Sequence, residues 1–141
     1  MKYGDHLQGT VTSVDAKGRG VLIHTLENGE TRRVLVPFTS PGDVIETTFR
    51  KRDQGEWIAA LERVISHGPG REPTPCPHAG ICGGCLWQHL NYDAQIQLKT
   101  QALEKAYTTV GLADVLEPLI PARNTLHYRN RMDYAVGWKG E

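Results

Sequence analysis

The feature that most constrains the fold is the alternation of short apolar runs with turn signals over residues 6–66. The runs are HLQGTVTSVD, VLIHTLE, RRVLVPF, DVIETTFRKR and EWIAALERVI, and the turns between them are DAKGRG, ENGE, SPGD and DQGE. Five short strands joined by tight connections fit a small closed barrel better than a sandwich. The pattern therefore predicts an OB-like five-stranded barrel over residues 1–67.

The next nine residues, HGPGREPTP at 67–75, contain three prolines and two glycines. Such a composition stiffens and exposes the backbone, which is typical of a domain boundary. We therefore assign residues 68–90 to a linker and a cysteine-rich segment, separate from the barrel.

A helix is predicted after this segment. Asn91 can cap a helix that begins at Tyr92 and stops at Gly111. Apolar residues recur at helical spacing, so one face should pack against something; they are Tyr92, Ile96, Leu103, Tyr107 and Val110. Residues 115–122 are predicted to be an extended connection, and residues 128–141 to begin a strand. Residues 91–141 would thus be the helix and first strand of a truncated α/β central domain, giving a fold that is mainly β with α.

All three cysteines lie close together, as Cys76-x5-Cys82-x2-Cys85, and glycines are interleaved among them. Clustered thiols on flexible backbone can ligate metal once they are deprotonated. One interpretation is an iron–sulfur cluster whose fourth ligand lies outside the chain. Another is a Cys3His zinc site completed by His78 or His89. Three unligated thiols in a loop would be a third.

Charge and targeting signals bound the function classes. The chain carries 16 basic and 16 acidic side chains, so nucleic-acid binding would need a local patch rather than overall charge. No run approaches the roughly 18 apolar residues of a membrane span. The N-terminus has no apolar core typical of a signal peptide. We therefore expect no membrane partner and a cytoplasmic location, where thiols stay reduced.

Several motifs together resemble a known family. CPHAGICGGC, followed by Gln88-His89, Tyr92, Gln95 and Lys99, is similar to the iron–sulfur segment of the SAM-dependent RNA uracil-5-methyltransferases. YRNR at 128–131 resembles the entry strand of their central domain. GRGV at 18–21, VPF at 36–38 and PGD at 41–43 resemble a TRAM domain, the OB-like RNA-binding module of many members, including the 23S ribosomal RNA type.

The resemblance implies a [4Fe-4S] cluster held by Cys76, Cys82 and Cys85, with its fourth ligand outside the chain. It also implies that SAM binding and catalysis reside outside these residues, so that the chain alone is inactive and contains no catalytic residue. The expected partner is RNA, with ribosomal RNA as the substrate, and the oligomeric state stays open. The alternative is a stand-alone zinc-containing RNA-binding adaptor with a Cys3His site.

OB barrels hold single-stranded nucleic acid with a basic groove and stacking aromatic rings. The residues predicted to contact RNA are Lys17, Arg19, Arg32, Arg33, Phe38 and Lys51. Phe49 and Trp57 could either stack on bases or fill the core. Nine basic residues over 1–70 are matched by nine acidic ones, so solvated surface charge is the competing interpretation of this set.

Overall fold

The structure is a computed structural model that describes residues 2–81, 84–128 and 130–131. Its strands are β1 (His6–Val14), β2 (Gly20–Thr25), β3 (Thr31–Val36), β4 (Val44–Asp53) and β5 (Glu56–Ser66). One helix, α1 (Tyr92–Thr109), and a short 3-10 turn at Ala113–Val115 follow. The prediction of a mainly β fold with a single helix is therefore confirmed.

The five strands form a closed barrel in the order β1-β2-β3-β5-β4. Four of the neighbouring pairs are antiparallel. The fifth is a parallel pairing of β3 with β5, in which Val34 lies opposite Trp57 and Leu35 opposite Ile58. This closed arrangement, in which each strand has a neighbour on both sides, matches the predicted OB-like barrel.

The core is built from the inward-facing residues of all five strands. Val11, Val34 and Ile45 are fully buried. Phe49 and Trp57 pack against each other there, with ring centroids 5.5 Å apart and an interplanar angle of 54°. These two rings therefore belong to the core and are not available to stack on bases. Burial of each such aromatic side chain stabilises the barrel by about 1.5–3 kcal/mol.

Two hairpin turns follow from their sequences. Gly29 of the Asn-Gly pair has a φ of 81°, and Gln54 and Gly55 have φ values of 50° and 84°. The second turn, with two positive φ values in succession, is of the kind whose twist matches paired strands, whereas in the first only the glycine has a positive φ. Gln54 adopts this conformation although it has a Cβ, which strains its backbone slightly.

Helix α1 begins and ends where the sequence predicts. The side chain of Asn91 accepts a hydrogen bond of 2.8 Å from the Ala94 N–H, and Gly111 has the positive φ of a helix C-terminus. Of the residues in α1, only Leu98 is buried within the described part of the chain. Nearly all of the strand predicted at 128–141 lies outside the described residues. No helix in the described ranges is long and apolar enough to cross a membrane.

Candidate functional site

A buried carboxylate fastens the Pro/Gly-rich segment to the barrel. Asp43, which is fully buried, accepts hydrogen bonds from the backbone N–H groups of Ser40 and Gly68, at 2.7 and 2.8 Å. Arg71 donates to the same carboxylate at 2.8–3.0 Å and to the carbonyl of Phe38 at 2.7 Å. Residues 68–71 are thus held against the turn after β3, which composition alone does not reveal.

The charge state of Asp43 follows from this environment. Burial opposes ionisation, but the hydrogen bonds from Arg71, Gly68 and Ser40 and the positive charge of Arg71 outweigh it. The pKa of Asp43 therefore lies below its usual value of 3.8. A buried pair that is hydrogen-bonded on every side is costly to break from one side alone.

A second anchor joins the cysteine segment to the loop between β1 and β2. The indole Nε1 of Trp87 donates to the carbonyl of Gly18 at 2.9 Å. Gly18 has a φ of 77°, and a Cβ built on it would lie 2.8 Å from that indole nitrogen. Glycine at this position therefore permits both the left-handed turn and the close approach of Trp87.

Backbone hydrogen bonds complete the docking. The Glu72 N–H donates to the His89 carbonyl and the Asn91 N–H to the Gly70 carbonyl, each at 2.9 Å. The segment thus runs back on itself immediately before α1, and the start of α1 is positioned by the barrel.

The cysteines lie on the loop between these anchors. Cys76 is half-buried and Cys85 is exposed, whereas Cys82 lies outside the described residues. The Gln88 side-chain amide donates to the Cys85 sulfur at 3.3 Å. Within the described ranges, no three potential ligands among histidine, cysteine and acidic residues come together. With Cys82 undescribed, the three-thiol ligand set stays a prediction.

The exposed His78 and the buried His89 occupy different environments. Burial and the nearby positive charge of Arg71 lower the pKa of His89, opposed by a hydrogen bond to the Thr39 backbone and by Asp43. The imidazole is therefore neutral near pH 7. Among the described residues, neither its buried Nε2 nor the buried Oε1 of Gln88 has a hydrogen-bond partner.

Both of these atoms belong to residues that border a cavity of about 570 Å³ between the barrel and the cysteine segment. Phe38, Ile58 and Cys85 also line it. Its volume falls within the roughly 300–1,000 Å³ typical of small-molecule pockets, and its walls combine apolar groups with a few polar ones.

The residues predicted to contact RNA do not form one continuous surface. Lys17, Arg19 and Arg33 line one groove of about 1480 Å³ between the barrel and α1, whereas Phe38 lines the smaller cavity. Arg32 lies next to the β2–β3 turn, and Lys51 is exposed on β4.

Three of these arginines already have acidic partners. Arg19 makes a two-pronged contact with Asp15 at 2.6 and 2.8 Å, which supports the β1–β2 loop. Arg32 pairs with Glu30, and Arg33 with Glu56. Contact with a phosphate would require these pairs to open or to share their donors, so Lys17 and Lys51 are the more accessible cations.

The described residues define a class of molecule: an OB-like barrel with a cysteine segment docked on it. No protein-family model matches the chain. Its relatives include a tRNA (uracil(54)-C(5))-methyltransferase of Pyrococcus furiosus, 32% identical over 92% of this chain and 28% of the relative. A 23S rRNA (uracil(747)-C(5))-methyltransferase of Pyrococcus horikoshii is 36% identical over 70% of this chain and 22% of the relative.

An uncharacterized RNA methyltransferase of Synechocystis is 32% identical over 96% of this chain and 28% of its own length. Among solved structures, the crystal structure of the Pyrococcus abyssi tRNA (uracil-54, C5)-methyltransferase in complex with S-adenosyl-L-homocysteine matches with 29% sequence identity. The superposition covers 67% of this chain and 22% of the methyltransferase, with a TM-score of 0.41. The homologues are therefore RNA methyltransferases, among them uracil-C5 enzymes, and the chain spans about a quarter of their length.

Proposed function

We propose that this chain is the RNA-binding and iron–sulfur region of a SAM-dependent RNA uracil-5-methyltransferase acting on ribosomal RNA. The observation that carries the proposal is the 32% identity to a uracil-C5 enzyme over 92% of this chain, which includes both the barrel and the cysteine segment. The SAM-binding and catalytic parts would belong to the rest of the full-length enzyme. The choice of ribosomal RNA rests on the TRAM resemblance, since relatives named for tRNA and for 23S rRNA both match.

The barrel would supply RNA affinity and orientation. OB barrels bind single strands through accessible cations and aromatic rings, which are sequence-tolerant contacts. Lys17 and Lys51 would approach the phosphates, and Arg19 and Arg33 would line the adjoining groove. Holding a flexible RNA near the catalytic part lowers the entropic cost of reaction without any chemical step on the barrel itself.

The cysteine segment would hold an iron–sulfur cluster through Cys76, Cys82 and Cys85. The donor set fits this group, because three thiols lie in a glycine-rich loop and the Gln88 amide already donates to the Cys85 sulfur. When bound, the cluster would crosslink the loop, and its fourth ligand would come from outside the chain. Trp87 and Arg71 would then transmit that rigidity to the barrel.

A zinc-containing RNA-binding adaptor is the second candidate. One observation favours it: the buried imidazole of His89, whose Nε2 has no hydrogen-bond partner in the described part of the chain, belongs to a residue that lines the same cavity as Cys85. A neutral imidazole nitrogen of this kind is a typical zinc ligand. This candidate predicts one zinc ion per chain and a site that is complete within the chain.

Metal analysis after oxygen-free purification separates the two candidates. The first predicts a brown protein that contains iron and acid-labile sulfide, and both should be lost in Cys85→Ser but retained in His89→Gln. Stoichiometric zinc without iron or sulfide, lost in the His89→Gln variant, would establish the adaptor instead.

In parallel, the 141-residue chain should bind labelled single-stranded RNA yet transfer no methyl group from SAM. Methyl transfer by this chain would contradict the placement of catalysis elsewhere.

A further inference from the structure

The loop that carries the cysteines, residues 76–85, is poorly sheltered, because most of its described residues are exposed. Its first half is shaped locally. The Ala79 N–H donates to the Cys76 carbonyl at 3.2 Å, and Gly80 then adopts a φ of 82°. Such a turn sets the shape of the loop but not its place on the barrel. Thiols that bind one metal together must be held in place by other groups, so the contacts of this loop with the barrel matter.

The ring of Phe38 stands beside this loop on the barrel side. Phe38 follows β3 directly, and it borders the same cavity as Gly80 and Cys85. A Cβ built on Gly80 would lie 4.0 Å from the Phe38 ring, which is an ordinary van der Waals contact. Gly80 is four residues after Cys76 and two before Cys82. A contact at Gly80 therefore bears on the position of the thiols on both sides of it.

The backbone of Phe38 is strained. Its φ is 62°, the left-handed region that a bulky side chain rarely adopts. Arg71 donates to the Phe38 carbonyl at 2.7 Å, and the same guanidinium is bound to the buried Asp43. Glycine would adopt this conformation without strain, so the turn itself does not require phenylalanine. A bulky residue whose strain is maintained by surrounding contacts is typical of a functional position.

We propose that Phe38 is a positioning residue for the cysteine loop, whose ring holds the backbone at Gly80 so that the three thiols converge on one metal centre. The support runs from the buried Asp43 through Arg71 to the Phe38 carbonyl. A loop that is already in place loses less conformational entropy when it binds a ligand. The inference rests on the proposed function, because it takes the metal centre to be the iron–sulfur cluster. It deepens that function by giving the barrel a part in retaining the cluster.

Three substitutions at Phe38 separate the ring from the backbone. Phe38→Gly removes the ring and relieves the strain, Phe38→Ala removes the ring and keeps the strain, and Phe38→Leu keeps an apolar side chain. Iron release to a chelator from the anaerobically purified chain, and bleaching of its visible absorption in air, would be measured for each. We expect the glycine and alanine variants to lose iron about tenfold faster than the wild-type chain, the lower end of the usual effect of groups that support metal ligands. Leucine should restore most of the retention.

Hydrogen exchange on the metal-free chain provides a second readout. The amides of Ala79 and Ile81 are hydrogen-bonded within the loop, and we expect them to exchange faster in Phe38→Ala than in the wild-type chain. Gln54→Gly relieves the same kind of strain in the β4–β5 turn, outside the cavity, and should change neither readout. Thermal unfolding confirms that each variant is folded.

The outcomes distinguish this inference from the proposed function. If the wild-type chain contains iron and sulfide but the glycine and alanine variants retain them equally well, the positioning role is refuted and the proposed function stands. The role is also refuted if only the glycine variant is labile, which would implicate the backbone, or if leucine is as labile as alanine. If the wild-type chain contains no iron or sulfide, the iron–sulfur function fails, and hydrogen exchange alone decides whether Phe38 positions the loop.

Discussion

The barrel and the helix that follows it are stabilised in different ways. The barrel buries a continuous apolar core that includes Val11, Ile45 and the Phe49–Trp57 pair. Helix α1 buries only Leu98 within the described part, and beyond it Val110, Val115 and Ile120 are 67%, 63% and 94% exposed. The barrel therefore contains the apolar contacts it needs, whereas α1 depends on a cap and on a docked start. Apolar residues at helical spacing therefore do not show that a helix buries enough surface to be stable by itself.

The largest effect should come from the barrel core. We expect Phe49→Ala to lower the free energy of unfolding by about 3–5 kcal/mol, because it leaves a cavity against Trp57. The matched variant on α1, Leu103→Ala, should cost about 1 kcal/mol or less, since that side chain is only half-buried. Urea denaturation of both variants measures the difference, and equal losses would show that the two regions share one core.

The second-largest effect on stability is expected at the Arg71–Asp43 pair, which attaches the Pro/Gly-rich segment to the barrel. Arg71→Met should lower the free energy of unfolding by about 3 kcal/mol, because it leaves the buried Asp43 carboxylate without its cation. Hydrogen exchange should then increase at residues 84–91 more than in β1–β5. Protection that falls equally in both regions would mean that Arg71 belongs to the barrel core rather than to a joint.

The same pair predicts a pH dependence. The folded pKa of Asp43 lies below its unfolded value, so its contribution is present above about pH 4 and is lost as the pH falls through the folded pKa. The stability difference between the wild-type chain and Asp43→Asn should therefore shrink from pH 7 to pH 3. Urea midpoints across that range test it, and a constant difference would contradict the lowered pKa.

The smallest effect is expected at the helix cap. Asn91→Ala should destabilise α1 by about 1 kcal/mol by removing the acceptor for the Ala94 N–H. Asn91→Ser, which keeps an acceptor, should be close to neutral. Helix content followed by circular dichroism would fall in the alanine variant while the barrel midpoint stays unchanged. A lowered barrel midpoint would show that α1 supports the barrel.

Local sequence signals predicted the elements well, and long-range contacts were not predicted. The Asn-Gly turn, the cap at Asn91 and the stop at Gly111 depend on neighbouring residues, and all three appear in the structure. The attachment of Arg71 to Asp43, and of Trp87 to Gly18, joins residues far apart in sequence. The sequence predicted a boundary over 67–75, a range that contains Arg71, but it did not predict the attachment of that arginine to the barrel.

The candidate site was predicted by residue type but not by environment. Composition identified Arg19, Arg32 and Arg33 as cations but gave no indication that each pairs with a nearby carboxylate. Phe49 and Trp57 were ambiguous because one aromatic ring serves equally well in a core and in a stack, and only barrel closure decides between them. Phe38 was predicted as an RNA contact without its positive φ, which depends on the path of the turn after β3.

The parallel meeting of β3 and β5 has a consequence for how the barrel assembles. Each of the other strand pairs either is connected by a short turn or is hydrogen-bonded over a longer stretch. The β3–β5 pairing consists of only two residue pairs, and the two strands are not consecutive in sequence. Closing the loop between them costs chain entropy before the pairing contributes, so we expect the barrel to zip shut there last. The same short β3–β5 pairing would be the first to separate under mechanical or thermal stress.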